Sequence, residues 1–453
     1  MRNSGQLRTV NMKWVTLTTL AIVVFVDATR FVDPVSKEPV PDYFGDGIEQ
    51  IHKRNTALKA VYEGDQVWRL YKHNDTIVNN YVDEYESYGS FSIWSNQPSS
   101  VDIFVKSQML DTVETHLRQS GIKYDVLIED VQRAIEEENV PLSVQMAADL
   151  EGRKGHRMEW SSYHGLDDIN NYLDYLVTTY PDVCSVQTIG QSVEGRPLKL
   201  LRISNGYKNA PAIWIDGGIH AREWISPASV TYIIDYLVEN SENLKLDFYI
   251  LPVVNPDGYQ YSIDHDRLWR KNRRKAGRCV GTDLNRNFGY RWGGKGTSKN
   301  MCHETYPGSK AFSEPETSAI SNFFLASSAN FKAYISFHSY GQYILYPWGY
   351  DQRLPPDYLD LDNVGREAAE AMKQTTNDKT VYTVGNSAIT LYPAAGGSDD
   401  WAKAVLKIKY AYTVELRDTG RYGFMLPSRY ITSTAKEALA FVNTLTKTIL
   451  NEG

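Results

Sequence analysis

The stretch from Ala212 to Val238, AIWIDGGIHAREWISPASVTYIIDYLV, carries the first reading of this chain. Ile213-Trp214-Ile215 is a short apolar run between Pro211 and the Gly217-Gly218 pair, the pattern of a buried strand ending in a tight turn. Ser226-Pro227 supplies an N-cap and a first-turn residue, and Val230, Ile233, Ile234 and Leu237 recur at helical spacing. His220 and Glu223, three apart, therefore fall in the loop between a strand's C-terminal end and a helix. Open α/β sheets place their sites there. A neutral imidazole and a carboxylate at that spacing can grip one zinc ion.

His-x-x-Glu alone is weak evidence. The chain holds a second copy, His156 to Glu159, in a charged stretch with no strand before it, and this one reads as coincidence. A catalytic zinc needs three protein ligands and an open position. The candidate third ligand is His338, at the end of the β-like run Phe331–Phe337. Taken alone, His338 reads more naturally as a satisfied core histidine.

Several longer motifs change that balance. His220-Ala-Arg-Glu-Trp224, Trp269-Arg-Lys-Asn-Arg273, Asp283-Leu-Asn-Arg-Asn287, His338-Ser-Tyr340, Tyr392-Pro-Ala-Ala-Gly-Gly-Ser398 and Glu415-Leu-Arg-Asp-Thr-Gly-Arg-Tyr-Gly-Phe424 occur in one order. Together they resemble the zinc metallocarboxypeptidases of the pancreatic A/B family, with pocket residues most like procarboxypeptidase B. The resemblance runs from about Tyr163 to the end, with a fainter match upstream.

Composition is compatible with an exported precursor. The 453 residues allow two or three domains, and 42% hydrophobic with 12% aromatic residues allow a sizeable core. The net charge of -7 is spread along the chain and gives no reason to expect nucleic acid. Arg2, Arg8 and Lys13 precede an apolar run, Val15–Val26, too short to span a bilayer. Val26-Asp27-Ala28 offers small residues at cleavage spacing, so residues 1–28 read as a signal peptide, with Met12 an alternative start. No membrane anchor is expected, and a secreted, extracellular monomer is, a digestive lumen being a fitting location. Cys279 and Cys302 flank a long Gly-, Lys- and Asn-rich segment that a disulfide would tether, and the resemblance implies this pair. Cys184 then reads as a buried thiol beside a strand, although a bridge through it stays open.

Residues 29–57 form a poorly defined lead-in. From Ala60, strands at Gln66–Tyr71, Phe91–Trp94, Val101–Val105 and Tyr124–Ile128 alternate with helices at Ile77–Tyr88 and around Met109, Val113 and Leu117, which Gly121 closes. That order suits a small α+β open sandwich. It resembles an activation peptide, assigned here to residues 29–130 with its core at about 60–130. Asn74-Asp75-Thr76 is a glycosylation acceptor within it. Residues 131–157 read as a connecting helix and a basic, Gly-broken linker, where the resemblance implies a trypsin-like cut after Arg153, Lys154 or Arg157. Residues 158–453 alternate strands and helices, an α/β fold with a mixed central β-sheet flanked by helices. Here a helix at Leu166–Leu176, a hairpin turning at Glu194-Gly195, a strand at Asp247–Val254 entering a loop at Asn255–Gly258, a capping box at Ser313–Glu316 and a strand at Ile408–Leu416 are expected.

The family resemblance also implies roles. His220, Glu223 and His338 hold one zinc ion per chain, and Glu415 is the general base. Arg273 is the cation that meets the oxyanion, and Asp283 orients His220 from behind. Arg286, with Asn285, binds the free C-terminal carboxylate of a peptide or protein. Tyr392 closes over the terminal residue, and Arg222, Tyr340 and Phe424 lie along the incoming chain. Gly349 and Ser387 leave room for a long side chain, and Asp399 at the pocket floor matches forms that prefer C-terminal Arg or Lys. Asp400 matches an aspartate present whatever the specificity. Expected partners are peptide C-termini, an activating trypsin-like protease and proteinaceous carboxypeptidase inhibitors. The alternatives are an A-type or broad preference and a catalytically silent peptide-binding relative.

Overall fold

The computed structural model describes residues 59–73, 75–87, 91–140 and 143–452. The expected signal peptide, the lead-in and the Asn74 acceptor lie outside the described residues.

The small domain comprises β1 (Gln66–Tyr71), α1 (Asp75–Ser87), β2 (Ser92–Asn96), β3 (Ser100–Val105), α2 (Leu110–Gln119) and β4 (Tyr124–Ile128). Its antiparallel sheet has the order β2-β3-β1-β4. Alternation along β1 sends Trp68 and Leu70 to a core with Val78, Val82, Val113 and Leu117 of the two helices. Val67 points the other way, where Trp94, Phe104 and Ile128 pack on Tyr340, Phe424 and Met425 of the large domain. With both faces covered, every residue of β3 is buried, Asp102 included.

The connector is more ordered than a polar hinge. Asp130 caps α3 (Val131–Glu138) and Ser143 caps α4 (Val144–Lys154), each side chain accepting a backbone N–H. Gly152 is absorbed into α4, since a single helical Gly costs only about 1 kcal/mol. The chain leaves the helix at Gly155, whose φ of +77° is the left-handed stop. Arg153 and Lys154 thus occupy the last helical turn.

The large domain runs α5 (Leu166–Thr179), β5 (Cys184–Gln191), β6 (Pro197–Ile203), β7 (Pro211–Asp216), α6 (Ile225–Glu239), β8 (Asp247–Leu251), α7 (Pro256–Asp264), a short hairpin β9–β10 (Lys275–Ala276, Cys279–Val280), α8 (Pro315–Ala326), β11 (Asn330–Ser339), β12 (Tyr343–Tyr346), α9 (Tyr358–Thr375), β13 (Thr383–Asn386), α10 (Ser387–Thr390), α11 (Ser398–Ala404), β14 (Tyr410–Leu416) and α12 (Ile431–Glu452). Eight of these strands form one mixed sheet in the order β13-β12-β14-β11-β7-β8-β6-β5. Its centre, β14-β11-β7-β8, is parallel. Helices cover both faces: Ile213 and Ile215 of β7 join α5, α6, α9 and α12, while Trp214 joins α8 and α11. A strand covered on both sides reads as a continuous apolar run, which is why 213–215 showed no alternation.

Three local expectations are corrected. α6 starts at Ile225 with no side-chain cap. Ser226 lies inside its first turn, where its hydroxyl donates to Phe337 O (2.6 Å) and accepts from Gly218 N (3.0 Å). Tertiary partners have claimed the hydroxyl that local sequence assigned to capping. Asn255–Gly258 is the start of α7, with Asn255 as N-cap and Pro256 in the first turn. The cap of α8 is Glu314, one residue after the expected Ser313, because Pro315 takes the first helical position.

Candidate active site

Parallel neighbouring strands end at one sheet edge, and that shared edge builds the site. The loop after β7 carries His220 and Glu223. β11 pairs with β7 and carries His338 within the strand, one residue before its end. β14 pairs with β11 on its other side, in a register that sets Glu415 beside His338.

His220, Glu223 and His338 are buried and converge. His220 Nδ1 lies 2.7 Å from Glu223 Oε1, and His338 Nδ1 lies 3.1 Å from Glu223 Oε2. The two Nδ1 atoms are 3.2 Å apart. Ligand atoms on one zinc at about 2.0–2.1 Å sit roughly 3.3 Å from one another in a tetrahedron, so this N2O set fits that ion. The electrostatics agree. Burial alone would pull His338 down, but Glu223, with Glu415 and Asp216 behind it, pushes the imidazole up to about 9. Burial would raise Glu223, yet the two histidines hold it well below the usual carboxylate range. A field that favours a proton at this point also favours a metal cation. The other His-x-x-Glu does not converge: His156 packs on the rings of Tyr172 and Tyr175, and Glu159 accepts from Ser161.

Arg273 does not reach this site. Its guanidinium lies over the rings of Tyr261 (3.5 Å) and Trp269 (4.5 Å). Arg270, three residues earlier, lines the cavity instead. Its Nη2 donates to Asp283 Oδ2 at 2.9 Å, and its Nη1 is 3.9 Å from Glu223 Oε1. The 265–274 segment is largely irregular, so no periodicity in the sequence tells which arginine of the run points inward. Nor is the run a solvated face, since Lys271 and Asn272 are buried. Asp283 meets both Arg270 and His220, accepting from Nε2 of the latter at 3.1 Å.

The Cys279–Cys302 disulfide is formed, and Cys184 is a buried free thiol whose pKa burial lifts to about 11. Near that loop, Asn285 and Arg286 occupy a single helical turn capped by Asp283. Arg286 donates to Gly296 O and Asn285 O, and both residues line the cavity. Tyr392 is at the rim, 38% exposed.

Asp399 lines the cavity together with Gly349, Ser387, Leu345 and Thr413. Asp399 is 6% exposed. Burial raises its pKa against the opposing pull of backbone N–H groups, His338 and Thr413, and among the described residues no Lys or Arg forms an ion pair with it. Its neighbour Asp400 turns away and accepts the backbone N–H groups of Gly349 and Tyr350, each at 2.8 Å.

Arg222 does not line this cavity; it is buried against the Phe424 ring (4.2 Å), with Glu304 at 3.6 Å. Tyr340 packs against Phe424. The small domain packs here through residues that nothing in the sequence marked. Trp94 of β2 lies on Phe424 with ring centroids 5.0 Å apart, and Trp94, Ser95 and Asn96 line the cavity. Asp102 of β3 accepts from Tyr340 Oη at 2.9 Å while held by Arg69. At the end of α3, Glu138 forms a buried ion pair with Arg267, which also donates to the carbonyls of Arg222 and Phe424.

Comparison with known proteins gives consistent results. A carboxypeptidase B from Astacus astacus is 48% identical over 288 residues, covering 62% of this chain and 94% of its own length. A crystal structure of thrombin activatable fibrinolysis inhibitor superposes with a TM-score of 0.76 at 37% identity, over 86% of this chain and 100% of that one. The bovine form of that protein, in complex with tick carboxypeptidase inhibitor, gives a TM-score of 0.62 at 44% identity over 65% of this chain and 99% of that one. Residues 74–138 match the carboxypeptidase activation peptide. Residues 169–441 match the zinc carboxypeptidase domain, and with a zinc-competent ligand set beneath a covering small domain the chain belongs to the zinc carboxypeptidases, as a zymogen with B-type relatives.

Proposed function

We propose that the activated enzyme removes single C-terminal Arg or Lys residues from peptides and proteins. The observation that carries this preference is Asp399, a buried carboxylate at the cavity floor with no Lys or Arg of the described chain against it. Such a group is costly unless paired, and a substrate guanidinium or ammonium would pair it.

The residues divide the work as follows. Zinc held by His220, Glu223 and His338 would supply a Lewis acid that polarises the scissile carbonyl and acidifies water. Glu415 takes the attacking water's proton and passes it to the leaving amine. Burial, reinforced by Glu223, pushes its carboxyl up to about 7 against the pull of His338, Arg270 and Arg286, a range suited to proton exchange near neutrality. Arg270 takes the oxyanion role that the sequence reading gave to Arg273. Arg286 grips the terminal carboxylate, with the Asn285 amide beside it and Tyr392 closing from the rim. A clamp for a free carboxylate has no use in an endopeptidase.

The covering domain supports inhibition by blocking the path of the substrate chain, because Trp94 and Asp102 occupy Phe424 and Tyr340. Activation requires a trypsin-like cut in the linker. Arg153 and Lys154 are exposed and end a helix, whereas Arg157 is followed by Met158, which is 2% exposed. A cut after Arg153 or Lys154 therefore disturbs less of the folded domain. A disulfide fits export into an oxidising compartment, and no described helix is long and apolar enough to cross a membrane. Proteinaceous carboxypeptidase inhibitors are expected to bind the activated cavity, since a relative is solved with one.

The test compares paired peptides that differ only in a terminal Arg or Phe, before and after limited trypsin, with and without a chelator. Activity on the Arg peptide that needs trypsin and is lost with chelator supports the reading. An equal rate on both peptides refutes the preference, and full activity on long peptides before trypsin refutes the zymogen mechanism.

A further inference from the structure

Each of the two zinc-directed histidines has an outer ring nitrogen, and the fold holds these in different ways. His220 Nε2 meets a carboxylate directly, Asp283 at 3.1 Å. His338 Nε2 lies 3.2 Å from the Ser336 hydroxyl, which lies 2.6 Å from Asp216 Oδ1. Asp216 Oδ2 accepts from the Trp214 indole at 2.7 Å. The sheet creates this chain. Ser336 and His338 are two apart on one face of β11, Trp214 and Asp216 two apart on β7, and the register pairs Ser336 with Asp216. All four side chains are buried, Ser336 and Trp214 completely.

We propose that Asp216 and Ser336 are positioning residues that set the tautomer of His338. The indole N–H can only donate, and a carboxylate can only accept. The indole and the Ser336 hydroxyl therefore both donate to Asp216, and the Tyr334 hydroxyl lies beside it. With its single proton committed to Asp216, Ser336 can only accept from His338. In the neutral ring Nε2 then carries the proton, and the Nδ1 lone pair faces Glu223 and His220 Nδ1, where a zinc ligand needs it. Both histidines reach one protonation pattern, one through a direct aspartate and the other through a serine. This rests on the zinc-site reading above. That reading fails separately, if the unaltered chain takes up no stoichiometric zinc.

The polarity of the chain can be reversed. In Asp216→Asn the amide oxygen must accept from Trp214, so its NH2 donates to Ser336. The serine hydroxyl then donates to Nε2, and the proton moves to Nδ1. Ser336→Ala removes the relay without reversing it. The experiment is zinc affinity of the full chain by competition with a chromophoric chelator, alongside 15N shifts of the His338 ring at a pH where that ring is neutral and melting temperatures of the zinc-free proteins. We expect zinc to bind about 10- to 100-fold more weakly in Ser336→Ala, and at least as weakly in Asp216→Asn, with Nδ1 protonated there. Ser336→Thr, which keeps the hydroxyl, should recover most of the affinity. A Ser336→Ala protein whose zinc affinity stays within about twofold of the unaltered chain, whatever its melting temperature, would overturn the proposal, because a purely structural serine moves folding and leaves the metal alone.

Discussion

The two ends of the cavity treat buried charge in opposite ways. At the zinc-directed end, Glu223 lies against both histidines, and Asp283 receives His220 and Arg270. At the floor, Asp399 is also buried, but its polar company is backbone N–H groups, the His338 ring and Thr413, and among the described residues no Lys or Arg forms an ion pair with it. Burying a carboxylate is tolerable when the fold supplies the partner and costly when it does not. The first end therefore reads as machinery set in place before substrate arrives. The second reads as half of an interaction completed by the substrate.

The strongest way to break this contrast is to disable the machinery and leave the floor intact. Glu415→Gln keeps the shape but removes the base, so turnover should fall about 10²- to 10⁴-fold while zinc content and binding of a C-terminal Arg product stay near those of the unaltered enzyme. A zinc-loaded Glu415→Gln enzyme with near-normal turnover would show that the base is elsewhere.

The converse change empties the floor. Asp399→Ile should lower the Arg-to-Phe ratio of kcat/KM by about 30-fold to several-thousand-fold, the scale of losing one partner of a buried charge pair, with zinc content unchanged. Asp400→Ala is its control. Two backbone N–H groups would lose their acceptor, at about 1–3 kcal/mol each, so the melting temperature should drop while the ratio moves far less. If the ratio follows Asp400 instead, the wrong aspartate has been placed at the floor.

The two arginines of the Trp269–Arg273 run sharpen the machinery end. Arg270→Ala should cost about 10²- to 10³-fold in kcat, as for other oxyanion donors. Arg273→Ala removes only an aromatic stack and should change kcat by a few-fold at most. Zinc content must be measured alongside, because Asp283 loses a partner in the first variant.

The smallest effect is a shift in pH dependence. Glu415 works ionised, so kcat/KM should fall as pH drops through its pKa. Burial and Glu223 place that carboxyl near 7 in the metal-free protein, and zinc's charge pulls it lower, so the acid limb should have its midpoint at or below about 7. The limb should be absent from the residual rate of Glu415→Gln. A midpoint well above 7 would mean that another group controls the step.

The folding pattern was legible wherever periodicity was strong. Gln66–Tyr71 forms the strand expected of it, and Leu166, Ile169, Leu173 and Leu176 all face the core. The failures were local chemistry overruled by distant partners. Ser226 had the sequence of a cap, but Phe337 O and Gly218 N took its hydroxyl. The glutamate run before the linker gave no hint that Glu138 would be buried on Arg267, 129 residues away in sequence.

Motif order pointed to the family, and through that resemblance to candidate ligands, a candidate base and a candidate carboxylate clamp, since each is a run of residue types that few unrelated chains repeat together. Spacing could not say which way a side chain points in irregular backbone, so Arg270 rather than Arg273 emerged only from the fold. It also could not say what packs on the outer face of the small domain's sheet. Trp94 on Phe424, Asp102 on Tyr340 and the Asp216–Ser336–His338 chain all join residues distant in sequence. Such contacts are fixed by strand register and domain docking, and only the folded structure sets those.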